Sequence, residues 1–120
     1  MKKREDQEQE TVIQWSETVR RRYPGVDRIY HIPNGGKRNA AEAAHFKRLG
    51  VKPGVPDLCL PVARRGYHGL YVEMKSKKGK TTEKQDEWLE HLSSEGYLTA
   101  VCFSAEQAIK VIEDYLRKDD

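Results

Sequence analysis

The sequence predicts an α/β domain: a small mixed β-sheet flanked by helices. Three observations predict it. Helical stripes and short apolar runs alternate along the chain in the order helix, strand, helix, hairpin, helix, strand, helix. The chain has 120 residues, which fits one domain with a single modest core. Its content, 37% apolar and 34% charged, describes a polar but foldable chain with little interior to spare. Residues 1–120 read as a single domain, with no internal repeat, linker or low-complexity segment.

Glu5 to about Arg22 has helical spacing. Glu8, Val12, Trp15 and Val19 recur every three or four residues, as do Glu5, Gln9, Val12 and Ser16. The inward stripe becomes acidic toward the N-terminus, which either presents that end to a site or marks a solvated first turn. Pro24-Gly25 breaks the helix. Val26 to Ile32 alternates in part and reads as a strand. Pro33-Asn34-Gly35-Gly36-Lys37-Arg38 is a turn whose glycines let the backbone approach a partner closely, with a basic pair behind it.

Ala40 to Leu49 is helical by composition, and Gly50 ends it. Val51 to Pro56 contains two prolines, stiff enough to define where Asp57 begins its strand. Leu58 to Ala63 and His68 to Ser76 read as an antiparallel hairpin across the turn Arg64-Arg65-Gly66-Tyr67. Lys77-Lys78-Gly79-Lys80 is a basic loop. From Thr82 to about Glu95 a helix places Gln85, Trp88, Leu89 and Leu92 on one face. Thr82-x-x-Gln85 also fits a capping box, so Gln85 either closes the helix end or serves a site. Tyr97 to Phe103 is nearly continuous in apolar residues and reads as a buried central strand. Ser104-x-x-Gln107 caps a last helix with the stripe Ala105, Ala108, Ile109, Ile112, Tyr115 and Leu116; Lys118 to Asp120 is a tail.

The stretch with the most chemistry is Gly54-Val55-Pro56-Asp57, followed by Glu73-Met74-Lys75. Alternation along a strand puts Glu73 and Lys75 on one face and turns Met74 to the other. If the strands pair, Asp57 and Glu73 converge with Lys75 beside them, an oxygen-rich site for a hard divalent cation such as magnesium. An acid-x-Lys strand is more commonly a solvated salt bridge. Here the charges end apolar runs, Leu58-Cys59-Leu60 and Gly69-Leu70-Tyr71-Val72, where they need compensation by a partner or a metal.

The formal net charge of +3 is too small to imply nucleic acid by itself, but basic clusters segregate from the acids. Cys59 and Cys102 sit in apolar runs as small core residues of a reducing compartment. His31, His45, His68 and His91 are scattered, with no zinc spacing. No apolar run is long enough to span a membrane and no signal-peptide pattern is present, so the expected location is cytosolic or nuclear, with no membrane partner.

In order along the chain, Pro33 to Arg38, Gly54 to Asp57, Gly69 to Val72, Glu73-Met74-Lys75, Lys78-Gly79-Lys80-Thr81, Gln85 and Gly96-Tyr97 resemble the VRR-NUC branch of the PD-(D/E)XK nuclease superfamily. Each motif alone is weak; their joint order is specific and covers nearly the whole chain. The resemblance implies a restriction-endonuclease-like core and a stand-alone domain of the phage and bacterial kind, acting in a bacterial or phage-infected cell. It implies that Asp57 and Glu73 bind Mg2+ or Mn2+ with the Met74 carbonyl, that Lys75 positions or activates water, and that Gln85 supports the site. It further implies a metal-site acid in the first helix, Glu5, with Glu8 as the alternate. Met74 stands where the branch often has a smaller aliphatic residue.

By the same resemblance the activity is metal-dependent, structure-selective endonucleolytic cleavage of DNA, with a homodimeric four-way (Holliday) junction resolvase as the leading reading. Asn34, Lys37, Arg38, Lys77, Lys78 and Lys80 would hold the nucleic acid, the basic loops gripping its backbone without reading sequence. A restriction-type sequence-specific endonuclease and a non-catalytic nucleic-acid-binding module are the alternatives.

Overall fold

The computed structural model describes residues 4–34 and 39–117. Its elements are α1 (Arg4–Thr18), a 3-10 turn (Val26–Arg28), β1 (Tyr30–His31), α2 (Ala40–Leu49), β2 (Leu58–Leu60), β3 (Leu70–Met74), α3 (Glu83–Ser94), β4 (Leu98–Cys102) and α4 (Ala105–Leu116). Among the described residues the strands form one mixed sheet in the order β1-β2-β3-β4. β1–β2 and β2–β3 are antiparallel, and β3–β4 is parallel through the α3 crossover. The α/β class and the small mixed sheet expected from the pattern are both present.

Local chemistry accounts for most boundaries. Asn39, Thr82 and Ser104 cap α2, α3 and α4, each accepting from the backbone N–H three residues on. Gly50 closes α2 in the left-handed region, φ 100. Pro61, which has no N–H to give a ladder, follows the last residue of β2. Arg65 (φ 53) and Gly66 (φ 85) make the hairpin turn, closed by the Arg64–Tyr67 pair.

The core lies on the face of the sheet formed by Leu58, Leu60, Leu70, Val72 and Met74, against Val12 of α1 and Ala108, Ile112, Tyr115 and Leu116 of α4. Each large apolar side chain buried there contributes about 1.5–3 kcal/mol. The Tyr115 hydroxyl is satisfied by donating to the Val62 carbonyl at 2.6 Å. Both cysteines are buried and free.

Three expectations need correction. Residues 26–32 form a 3-10 turn and a two-residue strand, because Gly25 in the left-handed region starts a tight turn that buries Val26. The first helix stops at Thr18, not Arg22. The run 97–103 is not a central strand: β4 is at the sheet edge and half-buried over most of its length. It is apolar on both faces because α3 and α4 both pack on it, while among the described residues its outer edge meets no strand.

α2 departs from the other helices. None of its residues is buried, and Leu49 is 66% exposed. No helix among the described residues is long and apolar enough to cross a membrane.

Candidate functional site

The β2–β3 register pairs Leu58 with Val72. Continued by one residue it sets Asp57 opposite Glu73, and directly opposed residues point their side chains to the same face. That face is the one away from the α1–α4 core, since Met74 points into the core. Asp57, Glu73 and Lys75 therefore meet at the ends of β2 and β3, with α3 above them.

Asp57 is held on both oxygens. Its Oδ2 accepts from the Met74 backbone N–H at 2.7 Å, and its Oδ1 accepts from Asn34 Nδ2 at 3.0 Å. Asn34 Nδ2 also donates to the Val55 carbonyl at 2.9 Å. The Asp57 carbonyl accepts from the Ile32 N–H at 2.8 Å and from His31 Nδ1 at 2.9 Å, so the His31 proton sits on Nδ1. In an extended residue N–H and C=O point the same way, so the Met74 carbonyl faces the Asp57 side of its strand.

The loop leading to Asp57 is tightly seated. Gly54 has φ +92, and a Cβ there would lie 2.8 Å from the Lys84 backbone carbon in the first turn of α3. Pro56 is fully buried.

Glu73 is 2% exposed. Its Oε2 accepts from Gln85 Nε2 at 3.3 Å and lies 3.6 Å from Lys75 Nζ. Its Oε1 is buried and has no hydrogen-bond partner among the described residues. Burial, then the Asp57 carboxyl group beside it, push the Glu73 carboxyl up to about 8; Lys75 opposes them and loses. Two facing carboxyl groups, one with an orphaned buried oxygen, are a poor arrangement for both to ionise with Lys75 as the one cation beside Glu73 among the described residues. An all-oxygen donor set with a free lone pair aimed inward fits a hard divalent cation. Asp57, Glu73 and the Met74 carbonyl would hold it.

Gln85 serves two purposes that looked like alternatives. Its Oε1 accepts from the Thr82 backbone N–H at 2.9 Å, completing the capping box, while its Nε2 reaches Glu73. The Thr82 N–H sets the amide's orientation, because only the oxygen can accept it.

The two acids of α1 part company. Glu5 Oε1 accepts from the Ser76 N–H at 3.0 Å, one residue beyond Lys75. Glu8 Oε1 accepts from the Ala105 N–H at 2.9 Å and so caps α4. Among the described residues no group of three or more His, Cys, Asp or Glu side chains forms a metal cluster.

Lys77, Lys78 and Lys80 are exposed on the loop after β3, where the Gly79 N–H donates to the Ser76 carbonyl at 2.8 Å. Lys37 and Arg38 lie outside the described residues. Asn34, grouped by sequence with nucleic-acid contacts, has its amide nitrogen committed to Asp57 and Val55. The part of Asn34 in positioning Asp57 went unseen in the sequence. The available signal was its place just after a strand that pairs beside Asp57.

A family model described as the VRR-NUC domain matches residues 3–106. A solved structure of a "VRR_NUC domain protein" is similar over 100% of this chain and 95% of its own, with 38% identity and a TM-score of 0.78. No curated protein matches the chain.

Proposed function

The chain belongs to the VRR-NUC domain family, a nuclease-type domain, and on that premise we propose that it is a Mg2+- or Mn2+-dependent DNA endonuclease. The observation that carries the proposal is the facing pair Asp57 and Glu73, with Glu73 Oε1 buried and unpartnered and Lys75 Nζ beside it. When bound, the divalent cation supplies Lewis acidity toward a phosphoryl oxygen and toward water.

The chain's own residues do the rest. Asn34 and the Met74 N–H hold the Asp57 carboxylate in one orientation, and Gln85 holds that of Glu73. Lys75, only 13% exposed, keeps its ammonium beside the carboxylates, where it donates to the attacking water and adds positive charge as the phosphorane-like state gathers negative charge. Glu5 restrains the backbone just after Lys75. Lys77, Lys78 and Lys80 line the approach and grip the phosphate backbone, so binding weakens steeply with salt.

The finer reading is a homodimer that cuts branched DNA, four-way junctions included. Two symmetric cuts need two sites, which a two-fold dimer provides. α2 supports a dimer: a ten-residue helix with no fully buried residue, its Phe46 only half-buried, draws little packing energy from its own chain. A second copy covering α2 would supply it.

The test is cleavage of labelled four-way junction, linear duplex and single strand, with and without magnesium or manganese, alongside molar mass in solution. Metal-dependent junction cuts by a dimer uphold the proposal. Cutting of linear duplex at one sequence replaces it with a restriction-type enzyme, and binding without cleavage in either metal replaces it with a non-catalytic module. Lys75→Ala should lose cleavage by about a hundredfold or more while DNA binding stays within a few-fold. Normal cutting by that variant removes Lys75 from the mechanism.

A further inference from the structure

A cavity of about 180 Å³ lies between the loop before Asp57 and the outer side of α3, lined by Pro53, Lys84, Glu87, Trp88 and His91. Lys84, Glu87, Trp88 and His91 recur at three- and four-residue spacing, so they form one stripe of the helix. Along α3 the stripe adjoins Gln85. Trp88 is one turn along from Gln85, whose amide holds Glu73, and Lys84 is the residue against which Gly54 is seated. Nothing in the catalytic arrangement uses Trp88, Glu87 or His91.

We infer that this cavity is a subsite for one unpaired nucleobase next to the scissile phosphate. The inference rests on the nuclease reading above. Its walls suit a flat heterocycle. Trp88 is half-buried, offering a large ring that the chain's own packing does not enclose, and Pro53 lines the same cavity. The His91 ring stands at 89° to the indole with centroids 6.1 Å apart, so it does not lie flat on the indole. The polar groups suit the edge of a base: the Glu87 carboxylate accepts from an exocyclic amine, and the Lys84 ammonium donates to a ring carbonyl or a neighbouring phosphate. A purely apolar ligand would leave both charges unmatched, and a purely anionic one would be repelled by Glu87. A base inside a duplex has its faces stacked and its pairing edge occupied, so only an unpaired nucleotide can enter. The subsite thus gives a physical basis for preferring branched or distorted DNA to perfect duplex.

The experiment uses the full chain with Trp15→Phe, so that Trp88 is the sole tryptophan. The probes are a duplex bearing one unpaired 2-aminopurine and the matching fully paired duplex, titrated in EDTA so that nothing is cut. The expected result is quenching of Trp88 and 2-aminopurine emission on saturation with the first probe and none with the second. Trp88→Ala should weaken binding of the unpaired probe about tenfold or more, the loss typical of one base–aromatic stack, and the paired duplex less than about twofold. Trp88→Phe, which keeps a ring and guards against misfolding of the alanine variant, should retain most of the binding. Unchanged Trp88 emission at saturation, or equal weakening of both probes, overturns the inference. If the protein cuts DNA but Trp88 is silent, the subsite alone fails; if Trp88 responds but no metal supports cleavage, the nuclease reading fails and the base subsite stands.

Discussion

Gln85 and Glu73 are joined by a 3.3 Å hydrogen bond on an amide whose other end closes the N-terminus of α3. One side chain thus ties the stability of a helix end to the orientation of a buried carboxylate. The two roles can be separated. Gln85→Ala should lose both, with a stability decrease of about 1 kcal/mol in urea unfolding. Gln85→Glu keeps a capping-box acceptor but sets a third carboxylate against Glu73. It should hold the helix end while losing cleavage, and its Tm should fall further at pH 8 than at pH 5.

The raised Glu73 carboxyl makes a pH prediction of definite sign. In the folded protein it keeps its proton up to about 8; in the unfolded chain it releases it near the ordinary carboxyl value of 4.5. Below 4.5 both states are protonated and its contribution is fully present. As pH rises between 4.5 and about 8 the unfolded state alone gains from ionising, so metal-free stability falls through that window. Thermal unfolding in EDTA should show this slope, and Glu73→Gln should flatten it. Magnesium should raise Tm more at pH 8 than at pH 5, because the cation competes with the proton for the same oxygens.

Glu5 and Glu8 lie on the same helix but should fail differently. Glu8→Ala removes the acceptor of the Ala105 N–H and should cost about 1 kcal/mol of stability with cleavage nearly intact. Glu5→Ala frees the backbone at Ser76 beside Lys75 and should lower kcat with a smaller stability change. Paired urea melts and single-turnover cleavage of the two variants check this; a reversed pattern would make Glu8 the acid that serves the site.

Gly54→Ala should be severe for a surface-loop change. The position combines a left-handed φ of +92 with backbone of Lys84 at 2.8 Å from the new methyl group. About 1–3 kcal/mol of strain is expected, relieved only by moving the loop that carries Asp57. The check is a lowered urea midpoint with a weakened metal response, whereas Gly50→Ala, equally left-handed but with nothing near its Cβ, should show the backbone cost alone.

Much of this protein was readable from local rules. The capping residues Thr82 and Ser104, the Arg65-Gly66 turn, the hairpin and the opposite facing of Met74 and Glu73 all follow from short-range backbone chemistry, and they appear as the pattern requires. The short connection between two apolar runs also makes Asp57 and Glu73 neighbours.

What local rules could not decide was every question of which surface meets which. Whether Glu5 or Glu8 approaches Lys75 depends on the angle at which α1 lies on the sheet. The edge position of β4 depends on where the α3 crossover returns, and an apolar run covered on both faces looks the same at an edge as in the middle. Asn34 reaches Asp57 because β1 pairs beside it, a contact twenty-three residues distant in the chain. Periodicity and turn chemistry are properties of a few adjacent residues, and so are written in their order. Packing angles, strand order and the meeting of distant side chains come from the free energy of the whole fold, and only the assembled tertiary structure could supply them.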